Sequence, residues 1–383
     1  MTMQRGAPRV RESTSGKYVL YLAVVPVYRD ACVRELMVRH GEDITIFAGE
    51  QHLDRTVRTG LPVDIVQRVK NFGLAGDRVL LQVGNWRDAI NAEVTVIDLN
   101  PRSLTAWIIA GLRRLVKRRT LAWGHLHPRS GPESRTAPLR VLLRKFTDGT
   151  ILYGYDSVVP ARAELPDIPV WVAPNSLYRA RDIETRDEDR RGILYVGRLE
   201  QAKNVHLLVD AFADSKLWCE GMFLQIVGFG SLEEEILRTA TLRGIRDHVR
   251  FFGKVHDVSA LGDIYAETLF SVSPGYVGLS LTQSLGFGVP VLYAQDAPHS
   301  PEIELQRFGG MESFTPVSVG GLAKEMVAYT RKLAASPVDR ERLSRQVRGT
   351  YSAEGMAQGI WDALTNKPSE LGPDGWPIRE DSN

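Results

Sequence analysis

Ten short apolar runs, separated by longer amphipathic stretches, constrain this chain more than any other feature of its sequence. The first five are residues 18–25 (YVLYLAVV), 43–49 (DITIFAG), 78–84 (RVLLQVG), 93–99 (EVTVIDL) and 120–125 (TLAWGH). The second five are 192–197 (GILYVG), 222–228 (MFLQIVG), 248–253 (HVRFFG), 268–274 (TLFSVSP) and 289–294 (VPVLYA). Strands buried on both faces read as continuous apolar runs, and parallel neighbours need a helical crossover between them. The pattern therefore predicts an α/β chain with two Rossmann-like units in tandem. Between them, residues 175–191 are dominated by charge (RARDIETRDEDRR) and read as a linker. The expected division is a flexible tail at 1–17, a first domain at 18–174, the linker at 175–191 and a second domain at 192–350. An amphipathic helix at 351–366 and a flexible Pro/Gly/Asp-rich tail at 367–383 complete it. The acidic triplet Asp187, Glu188 and Asp189 reads as solvated linker rather than a metal site.

Composition narrows the partners. With 48 Lys+Arg against 46 Asp+Glu, the formal charge of +2 gives no general attraction to nucleic acid. Two cysteines, Cys32 and Cys219, cannot build a disulfide framework and fit a reducing, cytoplasmic compartment. The apolar run after the basic N-terminus has strand length, so neither a secretion signal nor a spanning helix is expected.

Three segments of the second half carry the chemistry. In GILYVGRLEQAKNVHLLVDAFA (192–213) a buried strand ends, a polar turn holds Arg198 and Lys203, and a helix opens with Asn204 as the expected N-cap. Cations at the carboxyl edge of a parallel strand and beside a helix N-terminus suit a diphosphate. The plain alternative is two solvated loop cations. In IVGFGSLEEEI (226–236) Ser231 and Glu234 form a capping-box pattern. Gly228 and Gly230 lack the third glycine of a dinucleotide fingerprint, so a nicotinamide-dependent oxidoreductase is disfavoured. In SPGYVGLSLTQSLGFGVPVLYA (273–294) Gly278 and Leu279 would present main-chain N–H groups at a helix start, with Gln283 one turn further in.

Taken in order, these segments resemble the nucleotide-binding half of the retaining family-four (group 1) glycosyltransferases of GT-B fold. More loosely, residues 100–129 and the VAPNSL stretch are similar to the acceptor half of one branch of that family. The resemblance implies two Rossmann-like domains with parallel sheets facing a central cleft. It implies Arg198, Lys203, Gly228, Gly278, Leu279 and Gln283 on the donor, with Arg198 and Lys203 gripping the diphosphate. His125, with His127 as a weaker neighbour, would sit over the sugar. The activity implied is transfer of a hexose from a nucleotide-diphosphate sugar to a glycan or lipid-linked acceptor with retention, without metal or other cofactor, in envelope or exopolysaccharide synthesis. The terminal helix would cross back to the first domain.

Two departures stand out. The family commonly has two glutamates eight positions apart, where this chain has Gly275 and Gln283. Gln283 can still hydrogen-bond a ribose, whereas Gly275 offers no side chain. These departures keep open a noncatalytic nucleotide-sugar-binding or scaffold role. Residues 104–119 mix Trp107, Leu112, Leu115 and Val116 with Arg113, Arg114, Lys117 and Arg118. That pattern fits either peripheral contact with the inner face of a membrane or a core-facing helix with cations at its C-terminal end. Arg29 reads as a cation opening a helix, or as a contact to phosphate or acceptor.

Overall fold

The computed structural model describes residues 17–53, 57–128, 131–186 and 188–378. The strands are β1 (Tyr18–Leu22), β2 (Ile44–Gly49), β3 (Gln67–Leu74), β4 (Val79–Val83), β5 (Val94–Asp98), β6 (Arg119–Gly124), β7 (Thr150–Leu152) and β8 (Val170–Val172), then β9 (Gly192–Val196), β10 (Phe223–Val227), β11 (Val249–Gly253), β12 (Thr268–Ser273), β13 (Val291–Ala294) and β14 (Met311–Phe314). The α-helices are α1 (Asp30–His40), α2 (Trp86–Asn91), α3 (Leu104–Leu115), α4 (Ala137–Lys145), α5 (Val158–Glu164), α6 (His206–Ser215), α7 (Glu233–Leu242), α8 (Val258–Ala266), α9 (Leu279–Gly286), α10 (Val319–Ala335), α11 (Arg340–Thr350) and α12 (Ala353–Thr365).

Two sheets result. The first runs β4-β3-β2-β1-β5-β6-β7-β8 and the second β11-β10-β9-β12-β13-β14. All their pairings are parallel except β3 with β4. Every residue of β1 is buried, as a central strand with helices on both faces requires. The run at 78–84, expected within the parallel sheet, is instead the antiparallel edge strand β4. It pairs with β3 through a turn in which Ala75, Gly76 and Asp77 all have positive φ. β3 is largely exposed and carries no apolar run, which is why the sequence pattern passes over it. β7, β8 and β14 are three or four residues long, too short for a periodicity to register.

The chain passes between the domains twice, side by side. Residues after β8 lead to Tyr178, whose carbonyl accepts the Ala353 N–H at 2.8 Å at the start of α12. Ser352 caps that helix by accepting the Gly355 N–H at 3.2 Å. Met356, Ala357 and Ile360 of α12 pack into the first domain's core beside Leu36, Ile151 and Trp171, and Trp361 stacks on His40 at 3.5 Å. The charged linker is anchored too: Ile183 is buried against Leu194 and Phe287 of the second domain.

One further segment differs from expectation. Residues 367–378, read from composition as an unpacked tail, dock across the domain boundary. Trp376 is 4% exposed, donates its Nε1–H to Asp156 at 2.7 Å, stacks on Tyr155 at 4.7 Å and lies under Arg307 at 4.1 Å. The remainder of that tail and nearly all of 1–17 lie outside the described residues, as does Asp187 of the acidic triplet. In α3, Arg113 is fully buried. Its guanidinium donates to the carbonyls of Ala89, Ile90, Ala92, Glu93 and Arg119, replacing the water it gives up. The opposite side of α3 leaves Leu115 80% exposed, beside Arg114. No helix among the described residues is long and apolar enough to cross a membrane.

Candidate active site

The loops leaving the carboxyl ends of β9, β10 and β12 are locked together by glycine. A Cβ on Gly228 would lie 1.8 Å from the Gly197 carbonyl oxygen, and one on Gly230 would lie 2.4 Å from that of Leu199. Both glycines have positive φ. The two turns therefore touch through bare backbone, joined by Leu199 N–H to Phe229 O at 2.9 Å and Leu232 N–H to Leu199 O at 3.0 Å. Gly228 thus holds the β9 turn in place. The capping residues differ from expectation. Asn204 adopts φ +54 and donates from its side chain to Pro274 O at 3.2 Å, while α6 begins after Val205. α7 begins after Leu232, with no side-chain cap from Ser231.

Lys203 lies against the third loop. Its ammonium donates to the Tyr276 carbonyl at 2.8 Å and sits 4.3 Å from that residue's ring centroid. Gly275 explains the fit, because a Cβ there would stand 2.8 Å from the Lys203 carbonyl oxygen. The Lys203 main chain occupies the space a side chain at 275 would need. Arg198 shares the turn but turns to solvent, paired with Glu200 at 2.9 Å. Its own carbonyl accepts the Tyr195 hydroxyl at 2.8 Å.

α9 starts at Leu279 behind Gly278, its N-cap, with no side-chain cap. One turn in, Gln283 is buried, and its amide donates to the Tyr178 hydroxyl at 2.8 Å. The structure thus joins Lys203 with the loop leading to Gly278 and Leu279. It ties Gln283 to the interdomain crossing.

Contacts continue from this loop toward the first domain. The Tyr276 hydroxyl bonds Ser300. His299 accepts the Val277 N–H on Nδ1 at 3.3 Å and faces Ala294 O through Nε2 at 2.9 Å, so its proton belongs on Nε2. Burial lowers its pKa, and the Lys203 charge adds to the effect. Glu302 accepts the Asn175 amide at 2.8 Å. Glu304 accepts the N–H groups of Tyr155 and Asp156, each at 2.8 Å, and the Tyr351 hydroxyl. Burial pushes Glu304 up to about 7 and raises Glu302, whose carboxyl also feels Arg29 across the domain boundary.

Across that boundary a pocket of about 680 Å³ opens at the carboxyl ends of β1, β5, β6 and β7. His125 lines it, following β6 directly, edge-on to Tyr153 at 4.7 Å. Desolvation, with the fields of Arg140 and Arg29, pushes its imidazole down to about 4. The residue keeps an exposed edge, so solvent moderates that shift. His125 is neutral at pH 7. Asp98, at the end of β5, accepts the Ala23 N–H and is raised by burial to about 6. Asp98 and Arg140 were absent from the set of site residues read from the sequence, whereas Arg29 was read there as a cation opening a helix or a contact to phosphate or acceptor. For Asp98 the available signal was a carboxylate closing an apolar strand. No three His, Cys, Asp or Glu side chains converge as a metal would need among the described residues.

Comparison with known proteins gives this geometry a context. The family model described as "Glycosyl transferases group 1" matches residues 179–348. Among solved structures, HepE of Anabaena, determined with UDP and glucose, superposes with a TM-score of 0.62 at 15% identity, over 91% of this chain and 99% of that one. Sucrose-phosphate synthase of Thermosynechococcus elongatus gives 0.60 at 14% identity, over 91% and 98%. A putative UDP-N-acetylglucosamine 2-epimerase of Listeria monocytogenes gives 0.61 at 10% identity, over 95% and 100%. Identities this low establish fold alone. Residues 179–348 therefore carry the signature of the group 1 glycosyl transferases, and the chain as a whole has the GT-B fold.

Proposed function

We propose that this protein is a metal-independent glycosyltransferase that moves a hexose from a nucleotide-diphosphate donor to a glycan or lipid-linked acceptor, with retention of anomeric configuration. The observation that carries this reading is the Lys203 ammonium held over the loop that leads into α9. A cation and a helix N-terminus on neighbouring loops can stabilise the negative charge that grows on a departing diphosphate. Arg198, on the same turn, joins them by exchanging Glu200 for phosphate oxygens, and the main chain at Gly278 and Leu279 supplies N–H donors. A leaving phosphate oxygen accepts the proton of the incoming hydroxyl as the new glycosidic bond forms on the same face. His125, neutral at pH 7, serves as a hydrogen-bond partner to the sugar rather than as a fixed cation. Gly275 leaves sugar recognition to Tyr276 and main-chain groups.

Envelope or exopolysaccharide assembly is the proposed setting, at the cytoplasmic face of the membrane. The outer side of α3 and α4 supports that placement. Leu112, Leu115, Val116, Leu139 and Leu142 are exposed there among Arg114, Lys117 and Arg118. Such a surface suits anionic lipid.

A donor-hydrolysis and transfer assay over a panel of nucleotide sugars tests the reading. Lys203→Ala should lower turnover by about 10²-fold or more with the fold intact by circular dichroism, and EDTA should leave the wild-type rate unchanged. Unchanged turnover in Lys203→Ala removes the phosphate role, and loss in EDTA that manganese restores removes metal independence. Gly275 and the inward-turned Gln283 favour one second reading, a noncatalytic nucleotide-sugar-binding protein. Binding of a nucleoside diphosphate with no turnover of any donor selects it.

A further inference from the structure

The first-domain pocket carries more positive charge than a neutral sugar acceptor would use. Among the described residues, three guanidinium-bearing side chains line it, Arg29, Arg102 and Arg140, against one carboxylate, Asp98. Arg102 is held at the rim by the carbonyls of Asp77 and Arg78. Arg29 is 7% exposed, and its Nη2 donates to the Tyr153 hydroxyl at 2.6 Å. Its guanidinium lies 4.6 Å from the Trp123 ring centroid and 4.9 Å from that of Tyr153. Among the described residues its Nε is buried without a partner. Asp98 and Glu302 reach Arg29 only through their fields, with no ion pair between them. Arg140 repeats the pattern. Its Nη1 donates to Leu99 O at 2.7 Å and His125 O at 2.9 Å, while its Nε is buried and, among the described residues, unpartnered.

Buried guanidinium groups are normally satisfied by carboxylates or by several carbonyls, because desolvating an unpaired donor is costly. Arg113 and Arg144 show this chain meeting that rule elsewhere. Arg113 is surrounded by carbonyls, and Arg144 is paired with Glu164. Arg29 departs from it, and the partly buried Arg140, bonded to two carbonyls, leaves its Nε without a partner among the described residues on the same pocket. A carboxylate or phosphate offers the paired acceptor oxygens that such N–H groups lack, and bonds to a charged acceptor are about twice as strong as those to a neutral hydroxyl.

We propose that this pocket binds an oxyanion of the acceptor, a phosphate or a carboxylate carried near the hydroxyl that receives the sugar, through Arg29 and Arg140. The acceptor sense of this inference rests on the glycosyltransferase reading. Oxyanion binding itself does not, so the two can fail separately.

Calorimetric titration of the full chain with inorganic phosphate, methyl glucuronide and methyl glucoside tests it, in wild type, Arg29→Met, Arg140→Gln and Lys203→Ala. Phosphate or methyl glucuronide should bind while methyl glucoside does not, and whichever anion binds identifies its source as phosphate or acidic sugar. Arg29→Met and Arg140→Gln should each weaken that binding about tenfold, and the component they weaken should persist in Lys203→Ala, which removes only the donor-loop cation. Should Arg29→Met fail to fold, Arg140→Gln, which is only partly buried, decides. Equal binding of the neutral glucoside, no anion binding, or loss confined to Lys203→Ala overturns the proposal. Donor turnover that serves neutral and anionic acceptors equally also overturns it, leaving glycosyl transfer intact. Arginine-dependent phosphate binding without turnover removes glycosyl transfer and keeps the anion site.

Discussion

Gly275 and His125 show how far a single position reaches. Gly275 is the point at which the Lys203 backbone passes without room for a Cβ. Gly275→Ala should destabilise the fold by about 1–3 kcal/mol in urea denaturation and lower donor affinity, since the atoms that must yield are main-chain atoms of Lys203. An unchanged denaturation midpoint with unchanged affinity would show that the loops are not coupled. At His125 desolvation and the fields of Arg140 and Arg29 push the folded imidazole from an ordinary 6.5 down toward about 4, a shift that solvent at its exposed edge moderates. The unfolded chain binds that proton first, so the folded state loses stability as pH falls between those values. An NMR titration should give His125 a midpoint well below 6, and Arg140→Gln should move it upward by removing a repulsive charge. Neither effect could be read from residue type. The sequence offered Gly275 as a missing glutamate and His125 as a histidine after a strand, whereas the crowding of each comes from chain segments distant in sequence.

At the scale of elements, the helical turn carrying Glu302 and Glu304 is the buried polar joint between the domains. Glu304 sits near 7 in the folded protein and at an ordinary 4.5 when unfolded. Protonation therefore favours the folded state, whose stability should rise as pH falls from about 8 toward 5 through this group. Glu304→Gln, which keeps one acceptor for the Tyr155 and Asp156 N–H groups, should flatten that slope when urea midpoints are compared across pH. A slope identical to wild type would sink the assignment. α3 gives the complementary lesson. Its basic amphipathic pattern was legible, yet the sequence could not say that Arg113 points inward while Arg114 points out, because both fit the same helical stretch. Five carbonyls converging on one guanidinium are a property of the packed domain.

For the whole molecule, two chain crossings and the tail hold the domains against each other. Trp376 fills a site made by Tyr155 of the first domain and Arg307 and Phe308 of the second. Trp376→Ala should cost about 3–5 kcal/mol, read as a lowered urea midpoint or as earlier unfolding of one domain. Wild-type stability would mean the tail adds nothing to the joint. By itself the sequence determined the two α/β units, most inner strands, the family resemblance and the turn bearing Arg198 and Lys203, because buried parallel strands and loops at their carboxyl ends leave local patterns. Tertiary structure alone decided the edge hairpin, the docked tail, the inward turn of Gln283 and the meeting of Arg29, Asp98, Arg140 and His125 in one pocket. Those features depend on which distant segments exclude water from one another, and contacts between remote parts of a chain leave no periodic signal in it.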